Sequence, residues 1–218
     1  MSAPVNSLRI TETFFSLQGE SSLVGHPTFF IRLTGCPLRC TYCDTAYAFQ
    51  GGQRVNVDVL VAEAVASGAR YVCVTGGEPL AQPECLSLLS ALCDAGFTVS
   101  LETSGALPVN AVDRRVMKIM DIKTPDSGEM EKNLWFNLDY LLPQDEIKFV
   151  IGSRTDYEWS KNLFQQHPSL QQVKQVLFSP SADRVKPEQL AGWILEDKLP
   201  VRFQLQLHKI IWGHRQGV

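Results

Sequence analysis

Thr28-Phe29-Phe30-Ile31-Arg32-Leu33-Thr34-Gly35-Cys36-Pro37-Leu38-Arg39-Cys40-Thr41-Tyr42-Cys43-Asp44-Thr45 decides how this chain folds and what it can hold. Thr28 to Leu33 has the aromatic and β-branched character of a strand, and it runs directly into a loop with three cysteines. In that loop Gly35 and Pro37 shape an irregular turn in which the sulfurs of Cys36, Cys40 and Cys43 converge. A 4Fe-4S cluster takes one thiolate per iron, and no fourth cysteine stands close by, so a cluster held here keeps one iron open. The competing readings are structural zinc and unliganded thiols. Structural zinc usually pairs two Cys-x(2–4)-Cys knuckles, and no second knuckle follows. Cys73 sits in the apolar run Tyr71 to Val74, and Cys85 and Cys93 lie eight residues apart on a predicted helix; all three read as small hydrophobes in a core.

Outward from the cysteine loop, strand and helix signals alternate. Asn56 is expected to cap a helix that runs to about Ser67 and stops at Gly68, and Tyr71 to Thr75 follows as a strand. Pro83 fits the first turn of a second helix ending at Gly96, before the strand Phe97 to Glu102. Strands at 116–121, 147–151, 175–178 and 201–205 and helices at 156–166 and 187–196 complete the series. Arg9 to Phe15 reads as an extra strand outside it, and 127–142 has no clear pattern. Such alternation predicts a parallel sheet with right-handed crossovers.

The chemically capable residues cluster at the C-terminal ends of these strands: Cys36, then Thr75-Gly76-Gly77-Glu78-Pro79, Glu102 to Gly105, Asp121 with Lys123, and Ser179 to Ser181. In a β/α barrel those ends share one mouth, and no Gly-x-Gly-x-x-Gly turn supports a dinucleotide fold. The fold class expected is therefore α/β, a partial (β/α)6-type barrel with an N-terminal extra strand. Two glycines directly after a strand let the backbone approach a ligand closely, while Glu78 anchors the turn or adds an acceptor.

At 218 residues and 44% hydrophobic, the chain is long enough for one substantial core. One domain over 1–218 is expected, divided into an N-terminal segment 1–27, a core 28–206 and a tail 207–218. A formal charge of −3 with no basic stripe gives no footprint for nucleic acid. No apolar run approaches the roughly 20 residues that span a bilayer, and the N-terminus lacks a signal core, so a cytoplasmic protein without disulfides or membrane contact is expected.

The cysteine loop with Tyr42 inside it, followed one βα unit later by Gly76-Gly77-Glu78-Pro79, resembles the radical S-adenosylmethionine (radical SAM) superfamily over 28–102. That resemblance implies a full or partial barrel in which three cysteines hold the 4Fe-4S cluster and the open iron binds the amine and carboxylate of S-adenosylmethionine. Reductive cleavage then supplies an adenosyl radical that does the chemistry, so no side chain is expected to be catalytic. Phe14 to Glu20, Pro27 to Arg32, Cys43-Asp44-Thr45 and Gln206-Leu207-His208-Lys209 narrow the likeness to the 7-carboxy-7-deazaguanine synthase family. Its reaction turns 6-carboxy-5,6,7,8-tetrahydropterin into 7-carboxy-7-deazaguanine with loss of ammonia, on the route to queuosine.

By position, the resemblance implies substrate contacts at Leu17, Gln18, Gly19, Arg32 and Thr75, with Val218 as a further candidate through the C-terminal carboxylate. It implies S-adenosylmethionine contacts at Tyr42, Cys43, Asp44, Gly77, Ser104, Asp121, Lys123, Ser179, Pro180, Ser181 and Ala182, and a Mg2+ ligand at Thr45. His208 is either a residue of the same mouth or an ordinary core or surface histidine. A flavodoxin- or ferredoxin-type reductant and a homodimer belong to the same expectation. Ser21 stands where the family often has glycine, which leaves the backbone there open. A glycyl-radical activase shares the cysteine loop and a small partial barrel, and a zinc-binding interaction module is the alternative outside enzymes.

Overall fold

The computed structural model describes residues 6–182, 184–213 and 215–218, so the first five residues of the N-terminal segment lie outside the described residues. A nine-stranded mixed sheet runs through the molecule. Its strands are β1 Ser7–Leu17, β2 Pro27–Leu33, β3 Gln53–Asn56, β4 Tyr71–Gly76, β5 Thr98–Thr103, β6 Met117–Asp121, β7 Glu146–Ile151, β8 Gln175–Pro180 and β9 Arg202–Phe203. The order is β3-β1-β2-β4-β5-β6-β7-β8-β9. From β2 to β9 every pairing is parallel, whereas β1 is antiparallel to both β2 and β3. β3 and β9 are the two edges, so the barrel is open, and the expected extra strand is β1.

Side-chain alternation along each strand separates a helix-covered outer face from an inner one. On β2, Phe29, Ile31 and Leu33 pack into a core with α1 (Val57–Ala66) and α2 (Cys85–Asp94), while Phe30 and Arg32 point inward. On β7, Ile147, Phe149 and Ile151 join a second core with α3 (Arg154–Gln166) and α4 (Pro187–Glu196), while Lys148 and Val150 point inward. Leu60, Leu88, Leu89, Leu101, Ile147 and Phe149 have no exposed surface, and each such side chain contributes about 1.5–3 kcal/mol of burial. Leu23, Met117 and Ile119 form a third cluster with Tyr71 at the N-terminal ends of the strands. The inner face is therefore plugged at one end and open at the other.

Several local expectations are corrected. Asn56 occupies the cap position of α1 without a side-chain cap bond; it is paired in β3, and Val57 N–H donates instead to the Asn6 carbonyl at 3.1 Å. Pro83 lies in a tight turn before α2, which begins at Cys85. The last strand is only two residues, and Gln204, just after it, uses its side chain to bind Ser21, its Oε1 accepting from Ser21 N at 3.0 Å and its Nε2 donating to Ser21 O at 3.1 Å. Ser21 itself has φ 66°, the left-handed conformation that glycine adopts without cost, and this explains why a glycine suits the position. The tail contains a short helix, α5 Leu207–Trp212. No helix among the described residues is long and apolar enough to cross a membrane.

Candidate active site

The open end of the inner face is a cavity of about 900 Å³ ringed by the C-terminal ends of the parallel strands, the cysteine loop and the tail. Leu17, Gln18, Gly19, Arg32, Thr75 and Val218 line it, as do Tyr42, Cys43, Asp44, Thr45, Gly77, Ser104, Asp121, Lys123, Ser181 and Ala182. Ser179 and Pro180 do not. They are buried within β8, which ends directly before the Ser181 and Ala182 that line the wall. His208 also faces the mouth, stacked so closely over Gly19 that a Cβ there would meet its Nδ1 at 2.0 Å.

Cys36, Cys40 and Cys43 are free thiols that share the cavity wall. Burial raises Cys36 and pushes Cys40 up to about 11, so these groups give up protons when they bind a metal. The loop is held against the next βα turn by backbone bonds, Gly77 N–H donating to Leu33 O at 3.0 Å and Glu78 N–H to Gly35 O at 2.8 Å, and by the side chain of Gln82, which donates to Thr34 O at 3.0 Å. A Cβ on Gly77 would lie 2.1 Å from the Gly35 carbonyl oxygen. Glu78 is fully buried and anchors the turn. Its carboxylate accepts from Leu80 N at 3.1 Å, Thr103 Oγ1 at 2.9 Å, Ser104 N at 2.7 Å and Ser104 Oγ at 2.5 Å.

Whether these residues suit an iron-sulfur cluster with a chelating cosubstrate can be tested on the molecule. Three thiols on one loop face the cavity, and among the described residues no three His, Cys, Asp or Glu side chains are gathered tightly enough for a single metal ion. Buried acceptor and donor atoms without partners also point inward: Asp121 Oδ1 and the Tyr42 hydroxyl. A buried polar atom left alone costs about 1–3 kcal/mol, so both sites are matched by a ligand with polar edges. The donor set fits.

A second set of polar residues lines the same cavity, several of which sequence patterns do not reveal. Glu102 at the end of β5 accepts from Thr75 Oγ1 at 2.8 Å and Gln18 Nε2 at 3.4 Å, and so joins two of the expected substrate contacts. Lys148 of β7 forms an ion pair with Glu20 and lies 3.8 Å from Asp121, which also pairs with Lys123 at 3.2 Å. Burial opposes the charge on both partners, yet Lys148 holds Glu20 below the usual carboxylate range, and Glu20 and Asp121 hold Lys148 above the usual lysine range. Gln206 donates to Glu20 at 2.6 Å, Lys209 pairs with Asp44 at 2.7 Å, and Leu207 N–H donates to Gly19 O at 2.9 Å. These bonds fasten the start of α5 across the mouth. An inward strand position that carries a charge, such as Lys148, was the available signal for this set.

Comparison with known proteins follows the same outline. The family model of the radical SAM superfamily matches residues 30–165. The 7-carboxy-7-deazaguanine synthase of Chlorobaculum tepidum is 47% identical over 214 residues, covering 97% of this chain and 96% of the relative. That of Koribacter versatilis is 44% identical over 94% of this chain and 97% of its own length. The crystal structure of QueE from Escherichia coli superposes with a TM-score of 0.78 at 25% identity, over 93% of this chain and 95% of that one.

Proposed function

This chain belongs to the radical SAM superfamily and, within it, to the 7-carboxy-7-deazaguanine synthase family, and we propose that it converts 6-carboxy-5,6,7,8-tetrahydropterin to 7-carboxy-7-deazaguanine with loss of ammonia. The observation that carries this reading is Glu102, which ties Gln18 of the N-terminal segment to Thr75 of β4 in the cavity that the three cysteines also line. Residues from distant parts of the sequence thereby form one polar edge. A flat heterocycle with ring N–H and amide groups needs such an edge, with both donors and acceptors fixed in place.

Cys36, Cys40 and Cys43 would hold the 4Fe-4S cluster, and the Gly76-Gly77 backbone, Ser104, Asp121 and Lys123 would surround S-adenosylmethionine. Together these groups supply a strongly hydrogen-abstracting adenosyl radical. The protein's own work is positioning. Glu78 fixes the βα turn, Glu102 aligns Gln18 and Thr75, and α5 with the tail covers the mouth and excludes water from a reactive site. In this reading Thr45, whose hydroxyl donates to Asp44 Oδ1 at 2.9 Å, would hold a Mg2+ ion that offsets the charge of the substrate carboxylate, since a hard cation takes oxygen donors. An acidic, cytoplasmic flavodoxin- or ferredoxin-type carrier is the proposed reductant. A homodimer is proposed on the exposed Ile210, Ile211 and Trp212 of α5, which light scattering tests.

The deciding experiment is an anaerobic assay of the reconstituted protein with the pterin, S-adenosylmethionine, Mg2+ and reductant. Formation of the deazaguanine product and ammonia is expected. A brown, cluster-loaded protein that consumes S-adenosylmethionine but leaves the pterin intact would overturn the proposal.

A further inference from the structure

Arg32 is held in one orientation by residues that do not themselves reach the middle of the cavity. Its Nε–H donates to Glu12 Oε1 at 2.8 Å, and the Tyr47 hydroxyl donates to the same oxygen at 2.8 Å. The guanidinium carbon lies 5.6 Å from the Phe14 ring centre and 5.8 Å from that of Tyr47. Phe14 is in turn stacked on Phe30, centroids 4.7 Å apart and planes 6° from parallel. Arg32, Tyr47 and Phe14 line the cavity, whereas Glu12 stands behind them. Glu12 is covered from the other side by the tail, for a Cβ on Gly217 would lie 3.1 Å from its Oε2.

Glu12 and Arg32 are direct cross-strand partners in the β1–β2 ladder, and an ion pair there needs no further purpose. Two observations exceed that role. Tyr47 comes from a different part of the chain, the turn after the cysteine loop, yet it converges on the same carboxylate oxygen. And the two terminal nitrogens of Arg32 have no hydrogen-bond partner among the described residues, although its side chain is only 15% exposed. A guanidinium with its Nε–H anchored to a carboxylate and two aromatic rings within about 6 Å of its carbon is restricted in orientation.

We propose that Glu12 and Tyr47 are positioning residues that fix the plane of Arg32 so that its free terminal nitrogens read the carboxylate of the substrate. The corner they form gives the site its preference for a carboxylated pterin. This rests on the pterin reading above and sharpens it. A carboxylate has two oxygens and several lone pairs, which leaves room for both a guanidinium and a cation at Thr45.

The test is calorimetric titration of the reconstituted enzyme without reductant, using 6-carboxytetrahydropterin and, separately, tetrahydropterin lacking the carboxylate. The wild type is expected to prefer the carboxylated ligand, and Arg32→Ala to lose that preference. Tyr47→Phe, which removes one hydroxyl and little volume, is expected to reduce the preference about three- to tenfold, and Glu12→Gln by at least as much, from the loss of about one hydrogen bond each. Affinity for the ligand without carboxylate stays within about twofold in both, so the change is confined to recognition of the carboxylate. If Arg32→Ala abolishes the preference while Tyr47→Phe and Glu12→Gln keep it whole and only lower the melting temperature, the pair is a strand strut and the proposal falls. If Arg32→Ala keeps the preference, Arg32 does not read the carboxylate and the proposal falls with it. If the wild type binds neither ligand, the pterin reading is what fails.

Discussion

Replacing Gly77 by alanine tests the contact on which the cysteine loop depends. The added Cβ would lie 2.1 Å from the Gly35 carbonyl oxygen, 2.5 Å from its carbon and 2.9 Å from Cys36 Cβ, whereas ordinary contact starts at 3.4 Å. The obstacle is backbone, not the end of a flexible side chain, so the Gly35–Cys36 peptide has to retreat by more than 1 Å. That carbonyl accepts the Glu78 N–H at 2.8 Å, and the retreat breaks the bond. Overpacking costs about 1–3 kcal/mol and the lost hydrogen bond about 1, which together lower the melting temperature by roughly 5–15 °C in a chain of this length. The larger effect is on Cys36, which moves relative to Cys40 and Cys43. Iron and acid-labile sulfide after anaerobic reconstitution, with the cluster's visible absorption, should fall well below the wild type even at temperatures where the variant is folded. Gly192→Ala is the matched control. It sits in α4 with open space around its Cβ position and should gain up to about 1 kcal/mol from helix propensity. A Gly77→Ala protein with full iron content and unchanged stability would refute the close-approach argument.

Cys40→Ala is expected to lose the cluster and all turnover while remaining folded, because the thiol is only half-buried and makes no hydrogen bond that holds the loop; retained activity would end the cluster reading. Thr45→Ala should keep the iron content and absorption of the wild type but need a higher Mg2+ concentration for half-maximal rate, and an unchanged Mg2+ dependence would remove Thr45 from the metal. Glu20→Gln breaks a largely buried pair with Lys148 and should cost about 3 kcal/mol at neutral pH, roughly 6–12 °C in melting temperature. The sign of its pH dependence follows from the shifts. Glu20 is depressed, so its contribution is complete above the ordinary carboxylate range and is lost as pH falls through the folded value; Lys148 is raised, so its contribution is lost only in strong alkali. The difference between wild type and variant should therefore be flat from about pH 6 to 9 and shrink towards about pH 3, and a difference that grows in acid would contradict the pairing.

Strands β2, β4, β5, β7 and β8 and helices α1, α2 and α4 were legible because each carries an apolar run bounded by glycine, proline or a capping residue, and α3 because Ser153 caps a mostly polar segment with Tyr157 and Phe164 on one buried face. β3 and α5 were not. Gln53-Arg54-Val55-Asn56 has no strand pattern of its own and is extended only because β1 offers it a free edge, Ser7 opposite Asn56 and Ile10 opposite Gln53. α5 is six residues with its apolar side chains Ile210, Ile211 and Trp212 turned to solvent, and it owes its place to Gly19, Glu20 and Asp44 rather than to an amphipathic stripe. In both cases the determining partner is far away in the chain, and periodicity carries no information about it.

The same division runs through the site. The cysteines and the Gly76-Gly77-Glu78-Pro79 turn announce themselves because their chemistry demands rare residues at fixed short spacings, and Gln18, Arg32 and Thr75 could be assigned only through likeness to a family. Glu12, Tyr47, Glu102 and Lys148 carry no such mark. Each is a common residue whose meaning lies in one atom meeting another across 20 to 128 positions of sequence: Glu12 to Arg32, Tyr47 to Glu12, Glu102 to Gln18 and Lys148 to Glu20. Yet the alternation of the sheet narrows the search considerably. Phe30, Arg32, Lys148 and Asp121 all occupy inward positions of strands whose outward neighbours are apolar, and a polar group is tolerated inside only where it finds a partner or a ligand. A charged residue at an inward strand position near the C-terminal end is thus a site residue by burial cost alone, and its partner is whichever opposite charge the topology brings to the same mouth.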